Sequence, residues 1–141
     1  MAVLVDTPVW SVIFRKQFST LRPDERAAFR EFDNLVQVGR PMLIGPVRQE
    51  VLSGLKSRQH FDHLRDRLSV FPDEPLATQD YEVAARMSYD CRAAGVIGSL
   101  TDMLICAISA RNELTILTLD KDFERYARVL HIRLHPVPPG G

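Results

Sequence analysis

Two cysteines in 141 residues are too few to cross-link a fold, and both Cys91 and Cys106 sit among Ala, Met, Leu and Ile at helical spacing. Free cysteines in such company behave as small buried hydrophobes, so a disulfide scaffold and thiol chemistry are set aside and a reducing compartment is expected. No apolar run approaches 18 residues, which excludes a helical membrane span. The start, Met-Ala-Val-Leu-Val-Asp, has no basic segment and an acid interrupts its apolar stretch, so it does not read as a secretory signal. A cytoplasmic protein with no membrane contact is expected. Net charge is also lacking: 18 Lys and Arg balance 18 Asp and Glu, which argues against strong nonspecific binding to nucleic acid. No internal repeat, low-complexity tract or linker breaks the chain. Its length suits one domain over residues 1–141, with 136–141 as a flexible tail, and supports a core without metal or disulfide.

Short Val-, Ile- and Leu-rich runs alternate with helical patterns. Residues 2–5, 42–44 and 115–119 read as strands, 70–71 as a brief one and 132–134 as an edge strand. Between them Thr7 is a candidate helix N-cap followed by Pro8, and Val9, Trp10, Ile13 and Phe14 fall at helical spacing. A second helix starts near Arg22-Pro23-Asp24-Glu25 and runs to Gly39. A third follows Gly45-Pro46. Helical segments continue over 61–68, 77–94, about 102–112 with Ser99 or Thr101 as its cap, and 123–129. Strands alternating with helices imply an α/β fold: a short, mostly parallel sheet flanked by helices in three layers, α/β/α.

Four acids stand where apolar runs stop or helices run: Asp6 after Val3-Leu4-Val5, Glu50 inside the third helix, Asp102 at the start of Asp102-Met103-Leu104-Ile105, and Asp120 after Thr115-Ile116-Leu117-Thr118-Leu119. With 18 acids in 141 residues any position is acidic about one time in eight, so a single Asp says little. The carboxyl ends of parallel strands, however, are where open α/β sheets bind ligands. Carboxylates converging within about 4 Å repel by roughly 4 kcal/mol per pair at an effective dielectric near 20, so such a cluster needs a cation or protons. Oxygen-only donors select Mg²⁺, with Mn²⁺ as a substitute, over zinc. Neutralising the four would leave 18 basic against 14 acidic residues, a +4 remainder able to form a modest basic rim.

The segments Leu4-Val5-Asp6-Thr7-Pro8-Val9-Trp10, the helical Glu50, Thr101-Asp102-Met103-Leu104-Ile105-Cys106-Ala107 and Leu117-Thr118-Leu119-Asp120-Lys121-Asp122-Phe123 resemble, in that order, the acidic motifs of PIN-domain ribonucleases, most closely the VapC-type toxins of toxin–antitoxin pairs. The resemblance spans essentially the whole chain. It implies a PIN-like fold and a Mg²⁺-dependent endoribonuclease that cuts RNA with a metal-activated water, leaving a 5′-phosphate and a 3′-hydroxyl. Asp6 and Asp102 match the principal metal ligands, and Glu50 and Asp120 the acids completing the catalytic pocket. Asp122 competes with Asp120 for the fourth place. Thr7 and Thr118 are candidates to orient the carboxylates by hydrogen bonding. The resemblance further implies a cognate antitoxin covering the pocket, and a homodimer formed through apolar helix faces near the N-terminal half is expected.

Competing readings are a PIN-like interaction protein without activity and an aspartate-based phosphotransferase or phosphatase. The latter, in haloacid-dehalogenase-like enzymes, calls for a second Asp two residues after the first, where this chain has Pro8. His60 and His63 share a helical face without a third ligand nearby and read as surface. Trp10 reads as core or interface packing rather than a base-stacking platform, and Arg15, Lys16 and Arg22 as surface that could contact phosphates.

Overall fold

The computed structural model describes residues 2–15 and 17–139. Lys16, the side chain of Arg15 and the Gly140-Gly141 end of the expected tail lie outside the described residues. The elements in chain order are β1 (Val3–Val5), α1 (Thr7–Arg15), a 3-10 turn (Phe18–Thr20), α2 (Pro23–Gln37), β2 (Pro41–Met42), α3 (Gly45–Ser53), α4 (Arg58–Leu68), α5 (Thr78–Ala93), α6 (Leu100–Asn112), β3 (Thr115–Leu117), α7 (Asp122–Val129) and β4 (Arg133–Leu134). The strands form one parallel sheet in the order β2-β1-β3-β4. All three residues of β1 are buried. Because successive side chains point to opposite faces, helices must cover both sides of the sheet, the α/β arrangement expected from the alternating pattern.

The strand order decides where a site can form. From β1 the chain moves to β2 on one side, then returns to place β3 on the other. Connections leaving β1 and β3 therefore diverge, opening a crevice at their carboxyl ends. Asp6 and Thr118 leave the sheet at this point, and the Asp6 amide donates to the Leu117 carbonyl at 2.9 Å, extending the pairing by one residue.

Trp10 is the largest buried side chain. Its indole N–H donates to the Val5 carbonyl at 2.9 Å, and its ring meets Phe14, Phe32 and Phe71 with centroids 4.9–5.8 Å apart. It is a core residue, closed to base stacking. His60 and His63 are exposed on α4, and Cys91 and Cys106 are free and buried. Burial pushes the Cys106 thiol far up, with the Asp102, Cys91 and Asp6 charges adding to it. Among the described residues no helix is long and apolar enough to cross a membrane.

Two expectations fail locally. Val70-Phe71 is not a strand: the Phe71 amide turns back to the Leu68 carbonyl at 3.0 Å, and the parallel bridge is instead Leu43 with Asp73. Arg48 causes this, donating to the Leu68 and Phe71 carbonyls at 3.0 and 2.8 Å and to the Asp73 carboxylate at 2.9 Å. Those carbonyls are thereby withdrawn from any ladder. The third strand also stops at Leu117 rather than Leu119, because the Thr118 side chain turns inward to Asp6.

The carboxyl-terminal half is tied by an ion pair with one buried end and one that reaches solvent. Asp80, 1% exposed near the start of α5, accepts from the Ala77 amide at 2.7 Å and from Arg111, near the end of α6, at 2.6 and 3.1 Å. Burial alone would raise the Asp80 carboxyl, but the Ala77 amide and the Arg111 guanidinium outweigh it and leave it below its usual range. A depressed acid contributes stability above its unfolded pKa and loses it as pH falls through its folded one. Asp80→Ala leaves Arg111 in reach of water and the Ala77 amide without its acceptor, so it is expected to cost on the order of 1–2 kcal/mol at pH 7, the scale of a hydrogen bond to a charged group. In urea melts the gap from wild type should narrow in acid, and a pH-independent gap would show that packing rather than the pair matters.

Candidate active site

Asp6 ends β1 and precedes α1, so its backbone carbonyl receives the Val9 and Trp10 amides at 3.1 and 3.3 Å while its side chain accepts the Thr7 amide at 2.8 Å. Asp6 thus does the helix capping that the pattern assigned to Thr7. Freed from that role, the Thr7 hydroxyl donates to Glu50 Oε2 on α3 at 3.1 Å. The second Asp6 oxygen accepts from the Thr118 hydroxyl at 2.8 Å, and the same hydroxyl accepts from the Asp120 amide at 2.9 Å. Both threonines therefore contact carboxylates as expected, each bridging elements remote in sequence.

Asp102 lies in the first turn of α6, where its amide donates to the Ser99 hydroxyl at 3.0 Å; of the two candidate caps, Ser99 is the one used. Its carboxylate accepts from the Tyr126 hydroxyl at 2.7 Å. Asp6, Glu50, Asp102, Asp120 and Asp122 all line one cleft of about 460 Å³ with Thr7, Pro8, Ser11, Ile97, Ser99 and Tyr126. Among the described residues no lysine or arginine lines it. Arg22 is engaged elsewhere, on Asp24 at 3.2 Å.

The cleft is electrostatically loaded. Burial, with the Asp102 and Asp120 charges adding to it, pushes the Asp6 carboxyl up to about 7 against the opposing hydrogen bonds from Thr118 and Thr7. Burial likewise raises Asp102, opposed by Tyr126 and Ser99 and assisted by Asp120 and Glu50. Among the described residues no three acids or other ligating side chains are drawn together as a ready-made metal cage. A hard divalent ion does not require one, since Mg²⁺ is commonly held by one or two carboxylates and keeps several waters. An all-oxygen, uncompensated donor set fits such an ion.

Asp120 and Asp122, the two competitors for the fourth place, have different partners. The Asp120 carboxylate accepts the Asp122 amide at 2.9 Å and so caps the entrance to α7, whereas Asp122 pairs with Arg125 at 3.0 Å on the surface. Yet Asp120 is the one whose charge is felt by both Asp6 and Asp102. Tyr126 was missed because it follows Phe123 at helical spacing and reads as core. Only its position one turn beyond Asp122 hints at the cleft.

An acid whose folded pKa is raised loses folding stability as pH climbs from the unfolded to the folded value, the deficit being complete above the latter. Each unit between 3.8 and about 7 corresponds to about 1.4 kcal/mol for Asp6. Asp6→Asn is therefore expected to stabilise the metal-free protein by a few kcal/mol at pH 8 and far less near pH 4. Thermal melts in chelator check this; equal gains at both pH values would show that the carboxylate is not under strain.

The sequence matches the PIN domain family model over residues 3–129. Ribonuclease VapC11 of Mycobacterium tuberculosis and a VapC ribonuclease of Mycobacterium bovis are each 26% identical over 136 residues, covering 93% of this chain and 96% of theirs. Among solved structures, FitAcB from Neisseria gonorrhoeae superposes with a TM-score of 0.72 at 19% identity, covering 95% of this chain and 96% of that one. VapBC2 from Rickettsia felis, bound to a DNA fragment from its promoter, gives 0.71 at 16% identity over 98% and 100%. With the family match running from β1 through α7 and the parallel sheet shared by these structures, the chain belongs to the PIN-domain family.

Proposed function

We propose that this protein is a divalent-cation-dependent endoribonuclease of the VapC type, acting as the toxin of a toxin–antitoxin pair. The observation that carries the reading is the cleft itself: five acids line it, two with raised proton affinity, without a basic side chain among the described lining residues. Similarity to ribonucleases named VapC supports RNA as the substrate class and an antitoxin as partner. A second copy is the further proposed partner. Exposed Tyr81 and Tyr89 on α5, with Ile97 and Leu100 beyond it, suit that contact in addition to Phe18, Val36 and Val38 of the amino-terminal half.

In this reading Asp6 and Asp102 hold Mg²⁺ or Mn²⁺, and Glu50 and Asp120 complete the pocket. A hard cation there would offset the negative charge that builds on the phosphoryl oxygens and would make a water a better nucleophile. The chain supplies the rest. Thr118 and the Thr7 amide fix both oxygens of Asp6, Thr7 steers Glu50, and Glu50, exposed at the cleft edge, is placed to accept the proton that the attacking water loses. The P–O3′ bond breaks, giving a 5′-phosphate and a 3′-hydroxyl.

Asp6→Asn and Asp102→Asn should each abolish cleavage of RNA by the purified protein, because each removes a ligand charge at nearly constant size. Mg²⁺ or Mn²⁺ should raise the melting temperature of the wild type by mass action, and zinc should replace them poorly. Near-normal cutting by either variant, or undiminished cutting in excess EDTA, would sink the assignment.

Asp120→Asn should lower turnover by at least about 10²-fold, the scale of losing one preorganised electrostatic group. Asp122→Asn, which loses a surface pair with Arg125, should cost less. Both are compared on one RNA at saturating Mg²⁺, and a larger loss for Asp122→Asn would reverse the choice.

A further inference from the structure

Asp102 faces a problem that Asp6 does not. Asp6 has both oxygens tied by neighbours at the sheet edge, whereas Asp102 is half-exposed at the mouth of the cleft and feels the Asp120 and Glu50 charges. Like charges tend to swing such a side chain outward. Tyr126 is the stronger of the two hydroxyls that meet it, ahead of Ser99, and donates to Asp102 Oδ2 at 2.7 Å.

The tyrosine is built in. It is 1% exposed, its ring is edge-on to Phe123 with centroids 5.0 Å apart, and it lies one turn along α7 from Asp122, so both side chains reach the same cleft. On its other side runs Gly98. A Cβ there would fall 3.0 Å from two atoms of the Tyr126 ring and 2.6 Å from the Met103 methyl. A side chain at this position would press on the ring as it now lies.

The chemistry of the donor also matters. A lysine or arginine at this point would neutralise Asp102 and compete with a cation for it. A phenol holds the carboxylate by a donated hydrogen bond without cancelling its charge.

We propose that Tyr126 is a positioning residue of the cleft: it pins the Asp102 carboxylate in the orientation that takes a divalent cation, and Gly98 leaves the space for its ring. This rests on the proposed metal-dependent nuclease reading. It adds a residue that acts through Asp102.

The experiment measures Mn²⁺ binding to the full chain by calorimetry and RNA cleavage as a function of Mn²⁺, for wild type, Tyr126→Phe, Gly98→Ala and, as a packing control on the same helix, Val129→Ala. Tyr126→Phe should weaken Mn²⁺ binding by about 10–100-fold, the usual effect of removing a group that orients a ligand. Its turnover at saturating Mn²⁺ and its KM for RNA should stay close to wild type. Gly98→Ala, which keeps the hydroxyl but displaces the ring, should move the same way less far. Val129→Ala should lower the melting temperature and leave Mn²⁺ affinity unchanged. A wild type that binds no Mn²⁺ overturns both this inference and the function it rests on. A wild type that binds, with Tyr126→Phe binding as tightly or Val129→Ala weakened as much, overturns this inference alone.

Discussion

The pairing of β1 with β3 is the constraint on which the rest of the molecule depends. These strands lie side by side although more than a hundred residues separate them, and the hydrogen bond from Thr118 to Asp6 closes the carboxyl end of the pair. Everything around the cleft is referred to that seam. Asp120 takes its place because its amide rests on the same Thr118 hydroxyl, α7 follows because Asp120 caps it, and Tyr126 reaches Asp102 because α7 points there. On the other side Asp6 starts α1 and Thr7 reaches across to α3.

Stability and chemistry pull in opposite directions at this seam. Elsewhere the fold treats buried acids conventionally: Asp80 is matched by Arg111, and Glu25 accepts the Arg22 amide at the head of α2. In the cleft Asp6, Glu50, Asp102 and Asp120 have hydroxyls and amides for company, groups that orient a carboxylate without cancelling its charge. The protein therefore carries a local electrostatic penalty, of the kind that a fold keeps where it binds or reacts.

Much of this was legible from the chain. The strand and helix order follows from Val3-Leu4-Val5, Thr115-Ile116-Leu117 and the apolar spacing of the helices, and three acids near element ends with Glu50 inside a helix point to one crevice. What stayed hidden was relational. Arg48 looks like any surface arginine, yet its contacts with three backbone and side-chain acceptors turn Val70-Phe71 away from the sheet. Periodicity marks Tyr126 as core and gives no sign that its hydroxyl emerges at Asp102. Nor does local sequence reveal that Asp120 caps a helix while Asp122 meets Arg125, since a shift of two residues in the end of a strand decides it. Hydrogen-bond direction is not encoded in a hydrophobic pattern.

The order of the acids along the chain has a consequence for biosynthesis. A polypeptide leaves the ribosome from its amino end, and contacts this distant in sequence form only after the intervening segment has been laid down. Until β3 has emerged, β1 lacks a neighbour on that side, Asp6 has no Thr118, and no crevice exists to gather the remaining carboxylates. A nascent chain presents Asp6, Glu50 and Asp102 first but cannot assemble them until β3 and Thr118 have followed. For a protein proposed to destroy RNA, the topology itself acts as a delay, so that the cleft cannot form before β3 has joined β1.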